Sequence, residues 1–139
     1  AVSPVKDITK GKFQEVIEDA TVSGKDAKRL VLCSGKLYYE LEEVRQKNKL
    51  KDVALVRIEQ LFPFPEKQLK AIFKSYKNSH VIFVQEEPLN MGYQSYMQRM
   101  LPKQEIEYIA RKASASPATG YNKVHKIEQE KIINQALGL

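Results

Sequence analysis

The chain has 139 residues, 42% of them hydrophobic, one cysteine and a formal net charge of +6. That length suits one domain with a core of its own, and the apolar content excludes a disordered chain. The 23 Lys and Arg are interleaved with 17 Asp and Glu along the whole sequence, which reads as a solvated, mildly basic surface rather than a nucleic-acid-binding face.

In chain order, Ala1-Val2-Ser3-Pro4 has no basic segment followed by an apolar run, so no secretory signal is seen. The missing initiating Met gives the expectation that the chain continues from a longer one. Ser3-Pro4 reads as a helix start and residues 13–19 as a candidate edge strand. Residues 21–28, polar with one glycine, read as a surface loop that completes an N-terminal lead-in over residues 1–28.

A βα-repeat core is expected over residues 29–139, the whole forming a single domain. Three continuously apolar runs, at residues 30–33, 53–58 and 81–84, predict strands covered on both faces. A fourth, at residues 106–110, alternates and reads as nearer an edge. Helical stripes lie between them: Leu37, Leu41 and Val44; Leu69, Ile72, Phe73 and Tyr76; and Tyr93, Tyr96, Met97, Met100 and Leu101. A last stripe runs through Val124, Ile127, Ile132, Ile133, Ala136 and Leu137, with Asn122 as candidate N-cap and Gly138 as stop. Strand and helix alternating in this way predict a three-layer α/β/α sandwich on a mostly parallel sheet. No apolar stretch approaches the roughly 18 to 20 residues that span a bilayer.

The chemistry-bearing motifs are few. Ser34-Gly35-Lys36 follows the first strand, where phosphate loops sit, but it lacks the upstream glycine and downstream hydroxyl of a P-loop. A tight strand-to-helix turn is the expectation. Glu86-Glu87-Pro88 ends the third strand at the edge where open α/β sheets take ligands. Adjacent strand residues face opposite ways, so the two carboxylates are poorly placed to share a substrate. One is expected to bond a neighbouring loop and the other to sit at an interface. His80 and His125 stand in no metal-ligand spacing, and no serine, histidine and acid set is recognisable. Cys33 lies inside an apolar strand and reads as a small hydrophobe. A lone cysteine also excludes an internal disulfide framework, which fits a reducing bacterial cytoplasm or mitochondrial matrix. The loop from Arg111 and Lys112 through Ser114, Ser116 and Gly120 offers two cations and small residues; a packed loop and an interface loop are both open.

Several segments together carry a resemblance. Ser34-Gly35-Lys36-Leu37-Tyr38-Tyr39, Val56-Arg57-Ile58-Glu59-Gln60-Leu61-Phe62-Pro63-Phe64-Pro65 and Gln85-Glu86-Glu87-Pro88-Leu89-Asn90-Met91-Gly92 come in that order. Ala113-Ser114-Ala115-Ser116-Pro117-Ala118-Thr119-Gly120 and Val124-His125 follow. The chain closely resembles the C-terminal region of the thiamine-dependent decarboxylating component of 2-oxoglutarate dehydrogenase. The resemblance implies a transketolase-like C-terminal domain with a five-stranded sheet, one strand antiparallel. It implies a full subunit that decarboxylates 2-oxoglutarate on thiamine diphosphate with Mg²⁺ and passes the succinyl group to the lipoyl arm of the dihydrolipoyl succinyltransferase. The cofactor would be held by preceding domains, leaving this domain without cofactor or catalytic residues. Its partners would be those thiamine-binding domains and a second subunit of a homodimer, with Glu86, Glu87, Arg111, Lys112, Ser114 and Ser116 on contact loops. No nucleic-acid or membrane partner is expected.

Some actinobacterial relatives also take acetyl-CoA as an activator at the border of this domain. The resemblance maps that effector site onto Lys12, Gln60 and Lys67, but Glu15 replaces a Ser and Gln68 an Arg of those relatives. Both changes disfavour an anion. An effector module is thus the second reading, and a free-standing α/β enzyme or nucleic-acid binder the third.

Overall fold

In the computed structural model, which describes Val5, Thr9 and residues 11–139, the apolar runs become strands. They are β1 (Val16–Ile17), β2 (Arg29–Cys33), β3 (Val53–Ile58), β4 (His80–Pro88) and β5 (Glu107–Arg111). The amphipathic stretches between and after them form α1 (Leu37–Lys47), α2 (Glu66–Ser75), α3 (Gln94–Met100) and α4 (Asn122–Leu137). The strands make a five-stranded sheet in the order β1-β3-β2-β4-β5. β2 pairs in parallel with β3 and β4, and β4 with β5. Only β1 is antiparallel, at Val16 opposite Ile58 and Ile17 opposite Arg57.

The pleat sends alternate residues to opposite faces. Leu30, Leu32, Ala54, Val56 and Phe83 pack against Leu69, Ile72 and Tyr76 of the α2 region and Met97 and Leu101 of the α3 region. Val31, Cys33, Leu55, Ile82 and Val84 pack against Leu37 and Leu41 of α1 and Ile132, Ile133, Ala136 and Leu137 of α4. Covered on both sides, β2, β3 and β4 carry continuous apolar runs at residues 30–33, 53–56 and 81–84, which is why those stretches show no alternation. From β2 the chain passes through α1 to β3 on one side. It then crosses through α2 to β4 on the other, so the sheet reverses direction between the carboxyl ends of β2 and β4.

The expected helix start at Ser3-Pro4 lies outside the described residues. The edge strand expected over residues 13–19 is only Val16–Ile17, because Asp19 turns the chain off the sheet. The segment over residues 21–28 is not a plain surface loop: Val22 and Ala27 are buried. Tyr76 donates its hydroxyl to Val22 O at 2.9 Å, and Ser79 donates to Ala27 O at 2.7 Å. These two donors satisfy carbonyls that would otherwise be buried bare, so a polar sequence can lie against the core. Tyr76→Phe should therefore lower the unfolding free energy by about 1 kcal/mol, measured by urea denaturation; an unchanged midpoint would deny the bond its role.

Two further expectations are corrected on α4. Val124 and Ile127 are exposed, at 41% and 58%, while Gln129 is buried at 8%. The first half of the helix turns its polar face inward, towards a buried arginine. The N-cap is Tyr121, without a side-chain cap bond, and Asn122 is the first helical residue. The stop is as read: Gly138 has φ 79°, and its N–H closes on Asn134 O at 2.9 Å.

Candidate functional site

The end of the sheet where its strand order reverses is spanned by the chain's own side chains. Ser34-Gly35-Lys36 leaves β2 and Glu86 lies near the end of β4. Lys36 Nζ meets Glu86 Oε1 at 2.6 Å across that gap and Glu40 Oε1 at 3.3 Å. Its hydrogen bond to Glu86 raises the Lys36 pKa, against partial burial that lowers it. Gln129 Nε2 donates to Glu40 Oε2 at 2.9 Å and to Glu86 Oε1 at 2.8 Å. Gln129 Oε1 accepts from Arg111 Nη2 at 2.6 Å. A second bridge runs between Tyr93 and Ser34, hydroxyl to hydroxyl at 2.6 Å. Burial pushes the Tyr93 phenol well up, the Ser34 bond opposes this, and the ring stands edge-on to Phe83 at 5.0 Å.

This end is set by an irregularity in β4. The register with β5 shifts between Val84 and Pro88, and buried Gln85 holds the bend. Its Nε2 donates to Pro88 O at 3.2 Å and Met91 O at 2.8 Å, and its Oε1 accepts from Gln94 N at 3.1 Å. Glu86 consequently turns into the polar cluster while Glu87 is exposed, the division of roles that strand alternation gives.

Arg111 ends β5 as a buried cation, 9% exposed. It donates to Thr119 Oγ1 at 3.2 Å and Gln129 Oε1 at 2.6 Å, and lies 3.1 Å from His125 Nδ1. Lys112, Ser114 and Ser116 are exposed on the loop beyond it. Asn90 anchors that loop by pairing with both backbone groups of Ser114, each at 3.0 Å, as a neighbouring strand would. Ser116 closes a local turn, its N–H on Ser114 Oγ at 3.1 Å and its hydroxyl on Ala118 O at 2.8 Å.

On another part of the surface, Gln60 and Lys67 line a groove of about 550 Å³ with Glu15, Phe64 and Gln68. Lys12 is exposed and is not among its lining residues, though its charge acts on Glu15. Gln60 Nε2 donates to Pro63 O at 2.8 Å, and Gln68 Nε2 donates to Glu15 Oε2 at 2.9 Å. The Gln68 bond holds the Glu15 carboxyl below its usual pKa, so an anionic oxygen stands inside the groove.

Among the described residues no three His, Cys, Asp or Glu side chains come together to hold a metal ion. Nor is any helix among them long and apolar enough to cross a membrane. Cys33 is fully buried, which pushes its thiol up to about 12, so it is a core residue and no nucleophile. Sequence reading missed Lys36, Glu40, Gln129 and Tyr93 together, because they come from three segments far apart in the chain. The one available signal was Gln129, a polar residue at a core-facing position of α4. The loops beyond β3 and β4 and the segment before α4 also carry large exposed apolar side chains: Phe62 at 85%, Leu89 at 51% and Tyr121 at 79%.

The family described as 2-oxoglutarate dehydrogenase C-terminal matches residues 2–137. The chain is 44% identical over 146 residues to the oxoglutarate dehydrogenase of Buchnera aphidicola subsp. Baizongia pistaciae, covering 100% of this chain and 16% of that protein. It is 42% identical over 146 residues to the 2-oxoglutarate dehydrogenase E1 component of Azotobacter vinelandii, covering 98% and 16%. Against the multifunctional 2-oxoglutarate metabolism enzyme of Mycolicibacterium vanbaalenii it is 41% identical over 150 residues, covering 99% and 12%. The chain thus spans only 12% to 16% of the length of these relatives. On the match of nearly its whole length, the chain belongs to the family of 2-oxoglutarate dehydrogenase C-terminal domains.

Proposed function

We propose that this chain is the accessory, non-catalytic C-terminal domain of a 2-oxoglutarate dehydrogenase subunit, and that it serves in assembly. The observation that carries the reading is the state of the carboxyl end of the sheet. That is where an open α/β sheet takes its ligand, and here Lys36–Glu86 and Tyr93–Ser34 span it. Phe62, Leu89 and Tyr121, on segments that leave the same end, offer apolar surface. Apolar groups of this size outside a closed polar cluster suit contact with other protein.

In this reading the remainder of the parent chain decarboxylates 2-oxoglutarate and succinylates the lipoyl group of the succinyltransferase, a step of the tricarboxylic acid cycle. Thiamine diphosphate and Mg²⁺ would be held there. The described residues offer no metal-ligand cluster for them, so no step of that reaction is assigned to this domain. Contacts with the preceding domains and with a second subunit would run through Glu87, Leu89 and the loop bearing Ser114 and Ser116. A reducing compartment, bacterial cytoplasm or mitochondrial matrix, suits the single cysteine. Regulation by an anionic effector bound near Lys12, Gln60 and Lys67 is the weaker reading, since Glu15 places a carboxylate in that groove.

The test uses the full-length subunit. Leu89→Ser should weaken its association about tenfold, a loss of about 1 to 2 kcal/mol of buried apolar contact, read by sedimentation. The isolated 139-residue chain, supplied with 2-oxoglutarate, thiamine diphosphate and Mg²⁺, should show no turnover. Turnover by the isolated chain would sink the accessory role, and unchanged association in the variant would remove Leu89 from the interface.

A further inference from the structure

Beside Arg111 the loop after β5 folds over a cavity of about 220 Å³, lined by Arg111, Lys112, Ser114, Ser116, Thr119 and Glu128 among others. The Arg111 side chain is 8% exposed, and a buried cation is costly unless it is paired. Its pairing here is incomplete. The close partners, Thr119 Oγ1, His125 Nδ1 and Gln129 Oε1, include no carboxylate. Arg111 Nε has no hydrogen-bond partner. The nearest carboxylate, Glu128 Oε2, stands 3.8 Å from Nη1 and its side chain is 35% exposed. Glu40 and Glu86 are engaged by Lys36 and reach Arg111 only through the Gln129 amide.

The remaining lining is rich in donors. Thr119 Oγ1 accepts from Arg111 and Ser114 Oγ accepts from Ser116 N, so both hydroxyl protons are available to donate. Lys112 adds a second cation. Two cations and two hydroxyls facing one carboxylate make a donor set with a net positive charge, which is what a small oxyanion requires. The volume lies below the roughly 300 Å³ at which pockets begin to hold drug-sized molecules, so the ligand must be small.

We propose that the Arg111 cavity is a binding site for a free small oxyanion of the phosphate or sulfate type. An anion there would complete the neutralisation of Arg111 and fix the loop that carries Ser114 and Ser116. The inference does not depend on the assembly reading.

Inorganic phosphate is the probe, titrated into the ¹⁵N-labelled chain against chloride at equal ionic strength. The dispersed amide spectrum checks the fold in the same experiment. Saturable shifts are expected at Lys112, Ser114, Ser116 and Thr119. Lys112→Gln, on an exposed residue outside the core, should weaken binding by about three- to fivefold. Glu128→Gln, which removes the opposing charge, should tighten it by a similar factor. Arg111→Lys, which keeps the charge but loses the fork, should weaken it about tenfold. Shifts that fail to saturate, that spread evenly over exposed lysines, or that are the same in all three variants would overturn the site.

Discussion

Asp19→Ala should lower the unfolding free energy by about 3 to 5 kcal/mol, the range for breaking a buried ion pair from one side. β1 is two residues long, so it leaves the outer edge of β3 bare before Ile58 and Arg57. Asp19 and Arg45 fill that gap with side chains. Asp19 Oδ2 accepts from Leu55 N at 2.8 Å, and Arg45 Nη1 donates to Val53 O at 3.0 Å, where a longer β1 would have supplied a ladder. The two side chains pair with one another, at 2% and 6% exposure. Asp19 Oδ1 takes Thr21 N and Thr21 Oγ1 at 2.7 Å each and Val22 N at 2.9 Å, which turns the lead-in towards Tyr76. Truncation therefore strands several donors at once, and Arg45 keeps only Glu42, 2.5 Å from its Nη2, as a charged partner.

The same site sets a pH dependence. Burial pushes the Asp19 carboxyl up, but the N–H groups of Leu55, Thr21 and Val22 and the Thr21 hydroxyl outweigh it and hold the pKa below 3.8. A lowered folded-state pKa means that this stabilisation is fully present above pH 3.8 and is lost as pH falls through the folded value. Urea midpoints below pH 4 should thus fall more steeply in the parent than in Asp19→Ala. In a double-mutant cycle, Asp19→Ala with Arg45→Met should cost less than the sum of the single changes. A single-variant loss below about 1 kcal/mol would show that the edge of β3 needs no such cover.

That edge also explains what the sequence made legible. Strands β2, β3 and β4 were readable because both of their faces are buried, so composition alone marks them. β5, at the sheet edge, was readable from its alternation, and α1 and α2 from stripes that meet a single surface. α4 was only half readable: its second half faces Ile82, Val84 and Ile109, while its first half faces the Arg111 cluster. There a buried glutamine replaces an aliphatic residue, and hydrophobic periodicity then assigned Val124 and Ile127 to the wrong side. Periodicity reports apolar partners, and a polar partner reverses its meaning.

The candidate site was legible by segment but not by assembly. Glu86-Glu87-Pro88 and the Arg111–Gly120 loop stand out in the sequence through their place after strands. Their connection through Gln129, 43 residues from Glu86, does not. The topology supplies it by setting α4 beside α1 over the same face. One polar cluster thereby joins the ends of β2, β4 and β5.

The lead-in hides the second large effect. Gly24 sits in a segment whose composition suggests tolerance, yet Gly24→Ala should cost about 3 kcal/mol or more, beyond ordinary overpacking. A Cβ at Gly24 would lie 2.1 Å from Ser75 O and 2.7 Å from Ser75 C. Both are backbone atoms at the end of α2, fixed because Tyr76, the next residue, is buried and bonded to Val22 O and through its N–H to Ile72 O. Neither side can yield without lifting the lead-in from the helix, which would uncover Val22 and Ala27. Gly120→Ala is the matched control, since a Cβ there meets nothing within 4 Å. Calorimetry should show Gly24→Ala melting roughly 10 °C below the parent and Gly120→Ala melting with it. Equal melting of the two variants would mean that residues 21–28 do not pack on α2, and that the core ends where the βα repeat begins.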